Sequence, residues 1–125
     1  MRKLSSTNFE NQKHITASCP ILSTIHFVSG RWKLVIIWQI RDQVGRFGEL
    51  QRSIPGISKK MLSQQLKELE RDGFIHREIF AEMPPRVEYS LTEFGRSFLP
   101  VLERIKEWGE DNKIMEHYRQ SIEVG

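Results

Sequence analysis

The chain has 125 residues, of which 38% are hydrophobic and 28% charged, with a net charge of +3 and one cysteine. That length suits a single domain able to bury a core without metal or disulfides, and the lone cysteine excludes an internal disulfide and points to a reducing cytoplasm. No run approaches the ~18 consecutive apolar residues of a membrane span, and the first residues, Met1-Arg-Lys-Leu-Ser-Ser-Thr7, lack the apolar stretch of a signal peptide.

Residues 1–18 are polar and weakly patterned; they read as a flexible N-terminal arm, with a short extra helix as the alternative. Pro20 fits a first helical position, where its missing N–H costs nothing. Ile21, Leu22, Ile25 and Val28 or Phe27 then recur at helical spacing as far as Gly30. A second helix is expected from about Trp32 to Arg41, with Trp32, Val35, Ile36 and Ile40 on one face and Ile37 and Trp38 widening it. After the break at Gly45, Phe47, Leu50 and Ile54 space a short helix near Phe47–Ser53, and Pro55-Gly56 signals a turn.

The run Ser58 to Gly73 is the most informative segment. Ser58 is an N-cap candidate, Leu62, Leu66 and Leu69 form one apolar stripe, and Asp72-Gly73 supplies a stop. At 100° per residue, Lys60, Ser63, Gln64, Lys67 and Arg71 gather on the opposite side. Phe74–Phe80 and Val87–Leu91 alternate as strands, and the prolines of Met83-Pro84-Pro85-Arg86 cannot continue a ladder, so a hairpin with an extended tip is expected. Thr92 caps the last helix, with Phe94, Phe98, Val101, Leu102, Ile105 and Trp108 as its stripe and Pro100 kinking it.

Four helices, a hairpin and a final helix describe a winged helix-turn-helix, mainly α with a small β-hairpin. Charge agrees with a polyanion partner: residues 31–71 hold nine Lys and Arg against four acids, and residues 93–125 five against seven. In such a fold the second helix of the pair enters the major groove of double-stranded DNA and reads bases with its N-terminal residues. This nominates Lys59, Lys60, Ser63 and Gln64 for base contact, since Gln pairs bidentately with adenine and Lys donates to guanine. Lys67 and Arg71 lie further along and point to phosphate, and Arg86 at the wing tip to phosphate or the minor groove. The alternative for each is an ordinary solvated charge.

The apolar stripes of the first and last helices exceed what one small core covers and point to a homodimer, which would set two recognition helices roughly 34–36 Å apart on DNA. Cys19 precedes a helix start, where partial positive charge favours a thiolate, so a redox sensor is one reading and a small packing residue the other. His14, His26, His76 and His117 show no metal spacing, and no phosphate loop or catalytic triad is legible. Neither an enzyme nor a cofactor or metal is expected.

Cys19-Pro20, Gly30-Arg-Trp-Lys-Leu34, Arg46-Phe47-Gly48-Glu49-Leu50, Pro55-Gly56-Ile57-Ser58, Met61-Leu62-Ser63-Gln64 and Pro84-Pro85-Arg86-Val87-Glu88-Tyr89-Ser90-Leu91-Thr92 occur in order, with Gly95-Arg96 and Trp108 after them. Over about residues 19–110 this set closely resembles the HxlR-type winged helix-turn-helix transcriptional regulators. The resemblance implies a cytoplasmic regulator of bacterial type. It would be a homodimer through its N- and C-terminal helices and bind inverted repeats in promoters, with repression favoured over activation. Residues 19–125 would form the DNA-binding domain, the recognition helix at about 58–72 and the wing at about 80–88. Several such regulators sense electrophiles or oxidants through a cysteine at the position of Cys19, and a small-molecule or oxidant effector is compatible with the pattern. Those with two-cysteine switches need a second cysteine, which this chain lacks. A winged helix used only to bind proteins is the competing function.

Overall fold

Leu62, Leu66 and Leu69 lie on one side of a 13-residue helix and are 0–2% exposed, and the rest of the molecule is arranged around that stripe. The computed structural model describes residues 13–14, 16–43 and 45–124. Its elements run α1 (Pro20–Val28), α2 (Lys33–Gln39), α3 (Phe47–Ser53), α4 (Lys59–Arg71), β1 (Ile75–Phe80), β2 (Arg86–Leu91), α5 (Glu93–Ser97), α6 (Leu99–Asp111) and α7 (Ile114–Val124). Backbone at 16–18 is also helical; most of the expected N-terminal arm lies outside the described residues. The result is mainly helical with one two-stranded antiparallel hairpin, a winged helix-turn-helix.

The local chemistry explains α4. The Ser58 hydroxyl accepts from Met61 N at 3.0 Å, satisfying one of the free N–H groups of the first turn. At the other end Gly73 N donates to Glu70 O at 3.1 Å and Phe74 N to Leu69 O at 2.9 Å. This paired closure needs a left-handed residue after the helix, and Gly73 supplies it with φ +86°. Phe74 then turns inward to 2% exposure among Phe27, Phe94 and Phe98. It closes the helix rather than opening β1, one residue short of the strand start expected from its alternation.

α2 packs against α3 and α6 and, with Ile40 after it, buries Ile36 and Ile37 in the common core, while Val35, expected on the same face, is 39% exposed. Ile36 and Ile37 are adjacent, so the buried arc is centred between them and turns Val35 outward. The hairpin runs in register from Ile75 opposite Leu91 to Phe80 opposite Arg86. On the far edge of β2, Gly45 forms a single bridge with Tyr89, so the wing carries three backbone segments at that level.

Thr92 joins the wing to the C-terminal helices. Its hydroxyl accepts from Gly95 N at 2.9 Å, capping α5, and donates to Gly73 O, while its N–H donates to Phe74 O at 3.1 Å. The single kinked C-terminal helix expected from the sequence is instead three helices. Pro100 lies in the first turn of α6, where proline is tolerated, so it begins a helix instead of bending one. α6 ends at Asp111 with Asn112 as its cap, and Lys113 adopts φ 54° before α7 starts.

Only Leu102 of α6 is buried. Ile105 is 53% exposed and Trp108 63%, and on α7 Met115, Tyr118 and Ile122 are more exposed than half. Ile21 and Ile25 of α1 are exposed as well. The stripes on the first and last helices are therefore only partly used by the domain core, through Val28, Phe98 and Leu102, and the rest of each stays exposed. Among the described residues no helix is long and apolar enough to cross a membrane.

Candidate nucleic-acid interface

The leucine stripe fixes the orientation of α4, and everything opposite it faces solvent. Lys60, Ser63, Gln64, Lys67, Glu68 and Arg71 line one shallow hollow along the helix. Five of the seven nominated residues are therefore brought together, and Lys59 is exposed beside them in the first turn. Ser63 is half-buried, whereas Lys59, Lys60, Gln64, Lys67 and Arg71 are exposed. The helix pair itself is α3 and α4, joined through Ile54–Ser58, with Ile54 and Ile57 buried in the turn. An exposed face with amide, hydroxyl and ammonium groups on a helix braced by its own core side can present donors to base edges and phosphates at once.

The cations on this face differ in what already holds them. Arg71 Nε lies 3.2 Å from Asp72 Oδ1; that hydrogen bond, and then the attraction of the Asp72 charge, raise the Arg71 pKa above its ordinary value. Lys33 reaches Glu68 at 4.0 Å, which neutralises the one acid in the hollow. Lys59, Lys60 and Lys67 have no carboxylate partner among the described residues.

Arg86 stands apart from that group. It is the first residue of β2 rather than a free tip, and it lines a second hollow with Arg46, Phe47 and the wing segment Glu82–Val87. Its guanidinium lies 4.1 Å from the Phe80 ring centroid, with Nη1 3.0 Å from Glu82 Oε1 and Nε 2.7 Å from Glu88 Oε2. The Nε contact is an ion pair whose angle falls outside hydrogen-bond geometry. Arg86 thus sits between two carboxylates and below a ring.

Sequence reasoning passed over Arg77. It is exposed on β1 and shares a hollow with Ser63, Leu66, Lys67, Glu70 and Tyr89, adjoining the α4 face. Within the sequence it is one arginine in an alternating strand, and only the packing of β1 beside α4 gives it a position. Cys19 is half-buried at the start of α1; its carbonyl accepts from Ser23 N and from the Ser23 hydroxyl, both at 2.8 Å, and its side chain makes no capping hydrogen bond. No group of three or more potential metal ligands occurs among the described residues.

The chain has relatives among known proteins. Residues 27–117 match the model of the HxlR-like helix-turn-helix family. The HTH-type transcriptional regulator YybR of Bacillus subtilis strain 168 is 45% identical over 104 residues, spanning 82% of this chain and 83% of that protein. A transcriptional regulator of the MarR family from Porphyromonas gingivalis W83 superposes with a TM-score of 0.73 at 41% identity, over 89% of this chain and 99% of that one. The redox regulator HypR in its reduced form does so with a TM-score of 0.73 at 45% identity, over 78% of this chain and 97% of that one.

Proposed function

The chain belongs to the HxlR-like helix-turn-helix family of transcriptional regulators, and from that premise we propose that it acts in the cytoplasm as a homodimeric repressor on a palindromic promoter operator. The observation that carries this is the division of α4: Leu62, Leu66 and Leu69 are buried, while Lys60, Ser63, Gln64, Lys67 and Arg71 line an open hollow on the other side. α4 lies in the major groove, with Lys59, Lys60, Ser63 and Gln64 reading bases. Lys67, Arg71 and Arg86 hold phosphates, Arg71 and Arg86 by exchanging their present carboxylate partners. Residues 19–125 form the working domain, and α1, α6 and α7 pair the two copies through the apolar side chains they expose.

Occupancy of a promoter by such a dimer excludes polymerase, which makes repression the simplest output. The test is fluorescence anisotropy on the DNA upstream of the chain's own gene and its divergent neighbour, against random competitor, across a salt series. Preference for that DNA surviving at about 0.15 M salt supports the reading. Equal binding to both duplexes that vanishes together with salt would reduce it to phosphate attraction.

A second reading is favoured by the likeness to HypR, a redox regulator: Cys19, at the entry to α1, gates the same DNA binding. Its prediction is that Cys19→Ser keeps DNA affinity and loses the response to diamide. A normal diamide response in that variant removes the gate and leaves the regulator intact.

A further inference from the structure

Both arginines nominated for phosphate, Arg71 and Arg86, are already held by carboxylates. Arg77 is not: among the described residues it has no ion pair or hydrogen-bond partner for its side chain. It is exposed on β1, directly across the hairpin from Tyr89, and cross-strand partners project to the same face of the sheet. That face adjoins α4, and the two residues line one hollow with Ser63 and Lys67. The hydroxyls of Ser63 and Tyr89 also make no hydrogen bond among the described residues.

The hollow therefore collects two cations and two uncommitted hydroxyl donors from two different elements. Such a set matches a phosphodiester, whose non-bridging oxygens accept several hydrogen bonds and carry one charge. Glu70 is the one acid lining it. The Gly45–Tyr89 bridge holds β2 from its other edge, so Tyr89 is fixed on both sides. The Leu66 side chain, 2% exposed and also lining the hollow, fixes the α4 wall.

We propose that Arg77, with Lys67 and the hydroxyls of Ser63 and Tyr89, seats a backbone phosphate of bound DNA at the junction of α4 and the wing, the Ser63 hydroxyl donating to the phosphate while its oxygen lone pairs stay open to a base donor. This rests on the DNA-binding reading above and adds an anchor that joins the recognition helix to the wing. A phosphate held there fixes the tilt of α4 in the groove, because Arg77 and Tyr89 of the sheet share it with Lys67 and Ser63 of the helix. The seat acts on any sequence, since phosphates carry no base information.

The deciding experiment uses the full chain and a random-sequence duplex, with anisotropy read across a salt series for wild type, Arg77→Ala and Arg77→Lys, and circular dichroism to verify the fold. A seated phosphate predicts that Arg77→Ala weakens binding several-fold and lowers the slope of log K against log salt by about 0.9, with Arg77→Lys recovering the slope. Tyr89→Phe removes one donor without changing charge, so it should weaken binding and leave the slope alone. If Arg77→Ala keeps both the wild-type affinity and the wild-type slope, the seat is overturned while promoter preference stands untouched. Failure of the wild type to prefer its promoter, with the Arg77 slope change intact, removes the operator reading and leaves the seat.

Discussion

Gly45 and Tyr89 exchange both of their backbone hydrogen bonds at 2.8 Å, so the turn before α3 is bound to the strand that carries the wing. A Cβ on Gly45 would stand 2.7 Å from Ile40 Cγ2 and 3.2 Å from the Leu50 side chain. Ile40 is β-branched and buried, so it has little freedom to withdraw. Gly45→Ala is expected to cost about 1–3 kcal/mol by overpacking, measured by urea denaturation; a midpoint unchanged from wild type would mean that the turn shifts without resistance.

Gly95 is a sharper case of the same constraint. An added Cβ would run into the Phe74 carbonyl oxygen, a backbone atom already accepting from Thr92 N, and stand 3.1 Å from the carbonyl carbon. Gly95→Ala should cost about 3 kcal/mol or more. Gly109, inside α6, has nothing within 4 Å of its Cβ position, so Gly109→Ala should stabilise by about 0.5–1 kcal/mol through helix propensity alone. Thermal melts of the two variants moving in the same direction would contradict this contrast.

Gln64 is exposed and central on the α4 face. Its amide can pair with adenine in two hydrogen bonds, a discrimination of about 1–3 kcal/mol. Gln64→Ala is therefore expected to flatten preference at one operator position and to change binding to random DNA little. A panel of single-base operator variants reads this directly, and equal losses on every duplex would make Gln64 a phosphate contact.

The exposed side chains of Ile105 and Trp108 predict that α6 is covered in solution by a second copy. Ile105→Asp places a carboxylate in that contact and should weaken self-association tenfold or more, about 1.4 kcal/mol, while the monomer fold persists. Sedimentation equilibrium measures it. A variant that sediments like wild type would place the dimer contact elsewhere.

Much of the fold is legible because it depends on neighbours in the chain. The Ser58 cap, the leucines at i, i+4 and i+7 and the stop at Gly73 are local, and the structure has each where its chemistry requires. Pro100 is ambiguous in sequence because proline both ends and begins helices, and the choice falls to Thr92, Gly95 and Phe98, whose packing closes α5 first. The separate α7 depends on the left-handed Lys113, a conformation that a lysine side chain does not advertise. Site residues divide the same way. The α4 face follows from helical angle alone, and the amide, hydroxyl and ammonium groups of Lys60, Ser63, Gln64 and Lys67 share it as expected. Arg77 gains its position from an inter-element contact that no periodicity encodes. The partners of Arg86, Glu82 and Glu88, are four and two residues away, yet the cradle forms only because the hairpin folds Phe80 opposite it.

The Thr92 hydroxyl contacts both the segment that ends α4 and the first turn of α5. One oxygen therefore serves as a rivet between the helix proposed to enter DNA and the C-terminal helices proposed to meet a second subunit. A rivet transmits angle: in the proposed dimer, a rotation of α5 against the end of α4 would strain these two hydrogen bonds first. In the proposed dimer, a change of shape at the C-terminal helices would thereby become a mismatch between the two α4 helices and the pitch of the double helix.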